Sequence, residues 1–406
     1  MPFTVATFGN ETRPYAKTTA AQMVSLAQER GVEIEVKFIP YKLNGDVPRM
    51  VKALQGVDVF VHSQLALNAV EIAAQLQPHL KLMQITSAGF DEFNHGGPDV
   101  MEGLRKAGVI FANNGGSNAV GVAETTIMLM LAACKNMFEL ATMVRARQWT
   151  AHHTALNVRG AAGARELSSQ VVGIVGFGNI GRMVARYLSG FRCKAVLYFD
   201  VVELEVGRQG ELDAEAVGSL DELLARADIV TVHVPNIPST NGTLTGHKLM
   251  GKRQFAQMKP SAIYISTCRG PVTDHVALVE ALKTGEIFGA GLDVLDPDPN
   301  TGTDACDYLC SCLRPRWNER GLPVLYFLLV VCADSPLLDM ENVTVLPHMS
   351  PVGTPPERAL GFLMDNLRRL QEGNKPLLAV HNNAGHSDGI FDHHPDDDGG
   401  ATEARL

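Results

Sequence analysis

A glycine-rich turn between a strand-like run and a helix-like run constrains this chain more than any other feature. Residues 171–200 read VVGIVGFGNIGRMVARYLSGFRCKAVLYFD. The glycines at Gly176, Gly178 and Gly181 have the spacing G-x-G-x-x-G. In this context the first glycine permits a tight turn, the second lets a pyrophosphate approach the backbone, and the third lets the helix pack close to the strand. The stretch therefore predicts a Rossmann unit whose cofactor site includes these glycines together with Asn179 and Ile180.

The acid that ends the next strand-like run bears on the choice of cofactor. Asp200 follows Gly181 by 19 residues, at the end of AVLYFD. A carboxylate at this point accepts hydrogen bonds from ribose hydroxyls and repels a 2′-phosphate. No Arg or Lys follows within DVVELEV. The sequence therefore predicts NAD(H) in preference to NADP(H), and the alternative interpretation is a strand-end acid that faces solvent.

The hydrophobic pattern repeats this alternation of strands and helices twice along the chain. With 406 residues the chain is too long for one ordinary core, so two domains are expected. Alternating strands and helices favour mainly parallel sheets with helical crossovers. The predicted fold class is α/β, with two doubly wound parallel-sheet domains, and one long apolar helix is predicted over residues 119–149. The strand-like runs are FTVATFG, VEIEVKFI, VDVFVHS, LKLMQITSAG and VIFANN in the first set, and VVGIVGF, AVLYFD, DIVTVHVP, AIYISTC, GAGLDV and NVTVLP in the second.

Composition narrows the classes of protein. A hydrophobic content of 46% with 19% charged residues is typical of a globular protein. The formal charge of -9 comes without a basic patch, so we expect no nucleic-acid partner. No apolar run is long enough to cross a membrane, the first residues lack the pattern of a secretory signal, and seven cysteines fit a reducing compartment. We expect a cytoplasmic protein, although the final residues 404–406 resemble a variant of the Ser-Lys-Leu peroxisomal signal.

Three motifs after the glycine-rich turn carry groups suited to the chemistry of 2-keto acids. They read ISTCRGPVTD, GAGLDVLDPDP and TVLPHMSP, and each follows a strand-like run, where ligands of open α/β sheets bind. The guanidinium of Arg269 suits a forked pair of hydrogen bonds to a carboxylate. The imidazole of His348 suits proton transfer to a carbonyl oxygen, and a nearby carboxylate would favour its charged form.

Beyond these motifs, the chain resembles the D-isomer-specific 2-hydroxyacid dehydrogenases over about residues 50 to 380. The resemblance lies in SAGFDEF, NNGGSNAVGVAE, ELSSQVVGIVGFGNIG, VHVPNIPST, MKPSAIYISTCRG and VLPHMSP. It implies an NAD(H)-dependent oxidoreductase that interconverts a small 2-keto acid and its D-2-hydroxy acid. It also implies a homodimer, and a flavodoxin-like substrate domain of residues 1–118 and 350–383 into which an NAD-binding Rossmann domain of residues 119–349 is inserted.

The resemblance also assigns roles to residues. Arg269 matches the substrate-binding arginine and His348 the acid/base. Asp298 stands where most members have the glutamate that pairs with this histidine, and its side chain is one methylene shorter. The resemblance further implies that Asp293 binds the nicotinamide carboxamide and that Pro235 and Cys268 also contact the cofactor. It implies that the backbone at Ala88 and Gly89 faces the substrate carboxylate. The runner-up hypothesis is a dinucleotide-sensing binding protein like the corepressors that share this fold and this set of residues.

Two segments do not fit the pattern. Residues 301–332 separate Asp298 from His348, and without them the flanking sequence resembles an ordinary family member. A metal site there would need paired cysteine motifs that the spacing lacks, so no metal is predicted. A functional loop and translated non-coding sequence remain open, and we favour the second, which allows an inactive product. We expect this segment to pack poorly and the acidic residues 384–406 to be disordered. The unusual residues of segment 301–332 are Cys306, Cys310, Cys312, Trp317 and Cys332.

Overall fold

The computed structural model describes residues 2–10, 12–62, 68–86, 100–147, 164–201, 212–236, 247–296 and 335–376. The chain divides into two compact units. One comprises Met1–Ser117 with Thr354–Leu406, and the other comprises Asn118–Gly353. The first unit is therefore discontinuous in sequence, with the second unit inserted between its two parts.

The first unit is a parallel five-stranded sheet in the order β2-β1-β3-β4-β5. Helices cover both faces, so the strands are apolar on both sides as expected for a parallel sheet. The last helix returns to this sheet, where Leu363 and Leu367 pack with Met23 of the first helix. The strands are β1 Phe3–Phe8, β2 Ile34–Ile39, β3 Val59–His62, β4 Leu82–Ile85 and β5 Ile110–Ala112, and the helices are α1 Pro14–Glu29, α2 Val47–Ala53, α3 Ala69–Gln75, α4 Val100–Lys106 and α11 Pro356–Gln371.

The second unit is a parallel seven-stranded sheet in the order β12-β11-β10-β9-β6-β7-β8. One face packs against α5 and α7, and the other against α8, α9 and α10. This confirms the predicted α/β class with two parallel sheets. The strands are β6 Val171–Val175, β7 Ala195–Phe199, β8 Glu215–Ala216, β9 Ile229–Val232, β10 Ile263–Ser266, β11 Gly289–Leu292 and β12 Val343–Val345, and the helices are α5 Ala119–Lys135, α6 Met137–Arg145, α7 Asn179–Ser189, α8 Leu220–Arg226, α9 Lys252–Gln257 and α10 His275–Thr284.

The long helix predicted before the glycine-rich turn is in fact two helices. Asn136 lies between α5 and α6 with a φ of 51°, in the left-handed region that ends helices. The two helix axes bend by 65° at this residue. The prediction of one continuous helix was wrong: apolar residues continue on both sides of Asn136, but Lys135 followed by Asn136 is itself a pattern that favours a helix end. Among the described residues no single helix is long and apolar enough to cross a membrane, and α5 with α6 meets that criterion only as this bent pair.

Candidate active site

The predicted site residues of the second unit that the structure describes lie at one edge of its sheet. All neighbouring strands in the sheet run parallel, so their carboxyl ends meet at the same edge. The strand order places the loops of β12, β11 and β10 at one side of this edge and those of β9, β6 and β7 at the other. His348 follows β12, Asp293 follows β11, and Cys268 and Arg269 follow β10. On the other side, the exposed Pro235 follows β9, the glycine-rich turn follows β6 and Asp200 follows β7.

Adjacent strands are about 5 Å apart, so β10 and β12 are separated by roughly 10 Å. The loops that carry Arg269 and His348 therefore begin two strands apart along the sheet edge, on either side of the loop that carries Asp293.

Each glycine of the turn has a different environment. Gly176 has a φ of 87°, and a Cβ there would lie 2.7 Å from the carbonyl oxygen of His233. A Cβ on Gly181 would overlap the Gly176 carbonyl oxygen. A Cβ on Gly178 would meet nothing within 4 Å. Gly176 and Gly181 are therefore needed for packing, whereas Gly178 faces open space at the N-terminus of α7.

The carboxylate of Asp200 joins the end of β7 to the glycine-rich turn. It accepts a hydrogen bond from the Phe177 backbone N–H at 2.6 Å, and the Gly176 N–H donates to the Phe199 carbonyl at 2.9 Å. The Phe177 ring stacks on Tyr198 with a centroid separation of 3.9 Å. Asp200 thus has a structural role in the turn as well as the predicted role at a ribose, for which a carboxylate has further acceptor sites.

Arg269 follows β10 in a loop with little freedom. Its Nη1 donates to the carbonyl of Cys268 at 2.7 Å. A Cβ on the next residue, Gly270, would overlap the carbonyl of Leu295, so the β10 loop lies directly against the turn after β11. The Cys268 side chain is buried, and that burial raises the pKa of its thiol.

Asp293 holds the loop that carries His348. Its side chain is fully buried, and the carboxylate accepts from the Met349 N–H at 2.9 Å, from the Ser350 N–H at 3.0 Å and from the Ser350 hydroxyl. The His348 N–H donates to the Asp293 carbonyl at 2.8 Å. His348 has a φ of 48°, a left-handed conformation that is uncommon outside glycine and that such contacts stabilise. Asp293 therefore positions the imidazole through the backbone, a role that the sequence did not reveal.

Helix α5 supports the same loops. The Thr126 hydroxyl lies 3.0 Å from that of Thr267, and both side chains are buried beside the β10 loop. A Cβ on Gly121 would lie 2.8 Å from the Ser350 carbonyl. One helix thus contacts the loops of Arg269 and His348. The sequence around Thr126 is a plain apolar helix pattern, which gave no signal of this contact.

A half-buried histidine directly after β9 was also missed. The His233 Nε2 lies 3.0 Å from the Thr231 hydroxyl, and burial lowers the pKa of the imidazole to about 3. The imidazole of His233 is therefore neutral near pH 7. Its backbone carbonyl is the group that excludes a side chain at Gly176.

Several predicted features lie outside the described residues. Among the site residues these are Asp298, Ala88 and Gly89, and the segments 301–332 and 384–406 lie outside as well. The pairing of Asp298 with His348 and the substrate contact at Ala88 and Gly89 stay predictions, as do the homodimer and the cellular location.

The fold and the edge of the second sheet together define a class of protein. A glycine-rich turn with open space at Gly178, a helix N-terminus and a strand-end carboxylate fit a bound dinucleotide, whose phosphates need close backbone N–H groups. An arginine after β10 and a histidine after β12 are suited to bind a small acid. The class is a dinucleotide-binding α/β protein with a polar site beside the cofactor position.

The comparisons identify the family within this class. Residues 127–350 match the family described as D-isomer specific 2-hydroxyacid dehydrogenase, NAD binding domain. The glyoxylate/hydroxypyruvate reductase B of Pectobacterium carotovorum subsp. carotovorum is 32% identical over 280 residues, which are 68% of this chain and 70% of the relative. The chain belongs to the D-isomer specific 2-hydroxyacid dehydrogenase family.

Other relatives extend the comparison. The D-3-phosphoglycerate dehydrogenase of Mycobacterium leprae is 28% identical over 320 residues, which are 79% of this chain, but the chain spans only about half the length of that relative (49%). The NAD-complexed D-isomer specific 2-hydroxyacid dehydrogenase of Lactobacillus delbrueckii ssp. bulgaricus has a similar fold, with a TM-score of 0.68 and 21% identity over 92% of this chain and 99% of that one.

Proposed function

We propose that the protein is an NAD(H)-dependent oxidoreductase that interconverts a small 2-keto acid and its D-2-hydroxy acid. The observation that carries this proposal is the placement of Arg269, Asp293 and His348 on the loops of three adjacent strands, at the same edge of the sheet as the glycine-rich turn. The corepressors of the runner-up hypothesis share this set of residues, so a turnover measurement has to separate the two functions.

Each residue has a defined part in the reduction. Arg269 binds the substrate carboxylate and so orients the keto group. The protonated imidazole of His348 donates its proton to the carbonyl oxygen as the carbonyl carbon accepts a hydride. In the reverse direction the neutral imidazole takes the hydroxyl proton. Asp293 keeps the His348 loop in place, and a carboxylate at Asp298 would favour the imidazolium.

The residues around the glycine-rich turn are suited to the cofactor. The backbone at Gly178, Asn179 and Ile180 would hold the pyrophosphate, since the first N–H groups of a helix have no partner within the helix. Asp200 would accept from the ribose hydroxyls and disfavour a 2′-phosphate. When bound, the dinucleotide supplies or accepts the hydride.

Turnover of NADH with a panel of 2-keto acids tests the proposal. We expect loss of NADH absorbance with at least one of glyoxylate, hydroxypyruvate and phosphohydroxypyruvate. His348→Gln should lower turnover by about 100-fold or more, because general acid catalysis contributes that much, while NADH affinity stays unchanged. NADH binding without turnover on any acid would contradict the enzyme hypothesis and favour a dinucleotide-sensing protein.

A further inference from the structure

The turn after β11 contacts a histidine that has no part in the proposed chemistry. His275 is the first residue of α10, and its Nδ1 accepts a hydrogen bond from the Asp296 backbone N–H, with 3.3 Å between the two nitrogens. The start of the helix is fixed by Asp274, whose side chain accepts from the Ala277 N–H at 3.1 Å. The imidazole therefore projects from a capped helix end onto the backbone of the turn.

The same turn is packed against the residue after Arg269. A Cβ on Gly270 would overlap the Leu295 carbonyl and would lie 2.9 Å from the Asp296 nitrogen. Arg269 and Gly270 belong to the connection between β10 and α10, and His275 is the first residue of the helix that follows. The connection and the start of α10 thus hold the turn at two points, by close backbone packing at Gly270 and by a hydrogen bond at His275.

The surroundings of His275 keep it in the form that can accept. Burial lowers the pKa of its imidazole, and the carboxylates of Asp296 and Asp274 oppose that shift to a smaller extent. A neutral imidazole has one ring nitrogen with a free lone pair, whereas a protonated imidazole has none. The hydrogen bond to the Asp296 N–H is therefore available near neutral pH.

We propose that His275 is a positioning residue that fixes the Leu295–Asp296 turn against Gly270 through Nδ1, and so keeps Arg269 oriented toward the substrate carboxylate. The effect on substrate rests on the proposed function, whereas the contact with the turn does not. The role is distinct from proton transfer, since the imidazole bonds to the backbone of the turn.

Two variants separate the hydrogen bond from the bulk of the ring. In His275→Asn the amide oxygen occupies the position of Nδ1 and can accept, whereas His275→Leu fills the space without an acceptor. We expect amide hydrogen exchange at Asp296 to become about fivefold faster in His275→Leu, the effect of one ordinary hydrogen bond, and to stay near the original rate in His275→Asn. The KM for the 2-keto acid should rise in the Leu variant alone, with NADH affinity unchanged in both.

The outcomes distinguish this inference from the proposed function. Equal exchange rates in both variants, or faster exchange in His275→Leu without a change in KM, would overturn the positioning role. If the unaltered protein turned over no acid, the proposed function would fail, and the exchange rates at Asp296 would still decide whether His275 holds the turn.

Discussion

Two carboxylates at the sheet edge accept hydrogen bonds from the backbone of the loop that follows the neighbouring strand. Asp200 accepts from the Phe177 N–H, and Asp293 accepts from the N–H groups of Met349 and Ser350. A carboxylate oxygen that accepts from backbone N–H groups forms stronger hydrogen bonds than a neutral acceptor. At this scale the site is built from acids that fix neighbouring loops.

The first prediction concerns Asp200. Asp200→Ala should lower the NADH to NADPH ratio of kcat/KM by about tenfold, a change of about 1.4 kcal/mol, because the charge that repels a 2′-phosphate is removed. Steady-state kinetics with both cofactors measure the ratio. Glu280→Ala, at an exposed acid of α10, is the matched control and should leave it unchanged. A better rate with NADPH in the unaltered protein would show that Asp200 has been assigned wrongly.

The second prediction concerns Asp293. Asp293→Asn replaces an acceptor oxygen with an NH₂ group that faces N–H donors, so it should lower the free energy of unfolding by about 1–3 kcal/mol. Urea unfolding measures this loss, and Ser350→Ala, which removes only one donor, should show a smaller one. Turnover should fall more than NADH affinity if Asp293 mainly positions His348. Equal losses would instead support a direct contact with the nicotinamide.

At the scale of elements, the junction of β6 and α7 combines packing with binding. The helix begins at Asn179 directly after Gly178, and its third residue, Gly181, packs on the carbonyl of Gly176. The strand and the helix can approach this closely only without a side chain at Gly181. The open space at Gly178 has no such packing reason, which is consistent with a ligand lying there.

Alanine substitutions separate these two roles. Gly181→Ala should lower the free energy of unfolding by about 1–3 kcal/mol, because the added methyl group overlaps backbone, and NADH affinity should fall with it. Gly178→Ala should leave unfolding nearly unchanged and weaken NADH binding alone. Thermal unfolding and NADH fluorescence titration measure both quantities. Unchanged NADH affinity in Gly178→Ala would place the pyrophosphate elsewhere.

At the scale of the whole molecule, the chain consists of two α/β units, each with its own sheet and core. In the second unit β11 and β12 are direct neighbours, with Ala290 opposite Val343. Residues 301–332 lie between these strands in the sequence and outside the described residues. We predict that the same register forms without this segment.

Deletion of residues 301–332 tests this directly. Joining Asn300 to Ala333 should raise soluble yield and turnover together, because the apolar run LPVLYFLLVVC is removed and exposed apolar patches promote aggregation. Yield and NADH turnover before and after deletion are the measurements, with sequencing of the mature transcript beside them. Loss of activity on deletion, with these codons present in the transcript, would show that the segment has a function.

The sequence by itself determined the features that depend on local pattern. Strand-like and helix-like periodicities follow from which faces of each element are buried, and they predicted both parallel sheets. The glycine spacing identified the turn at Gly176, since tight turns and close packing restrict single positions. The resemblance to the family, confirmed by the match over residues 127–350, added candidate roles for Arg269 and His348.

Only the tertiary structure decided the contacts between residues far apart in the chain. The bonds from Asp293 to Ser350, from Thr126 to Thr267 and from His275 to the turn after β11 join residues 57, 141 and 21 positions apart. Nothing in the local sequence specifies them, because each depends on the order in which parallel strands assemble. The break at Asn136 was decided by the backbone: the apolar residues on both sides are compatible with one helix or two, and the left-handed φ of Asn136 ends α5.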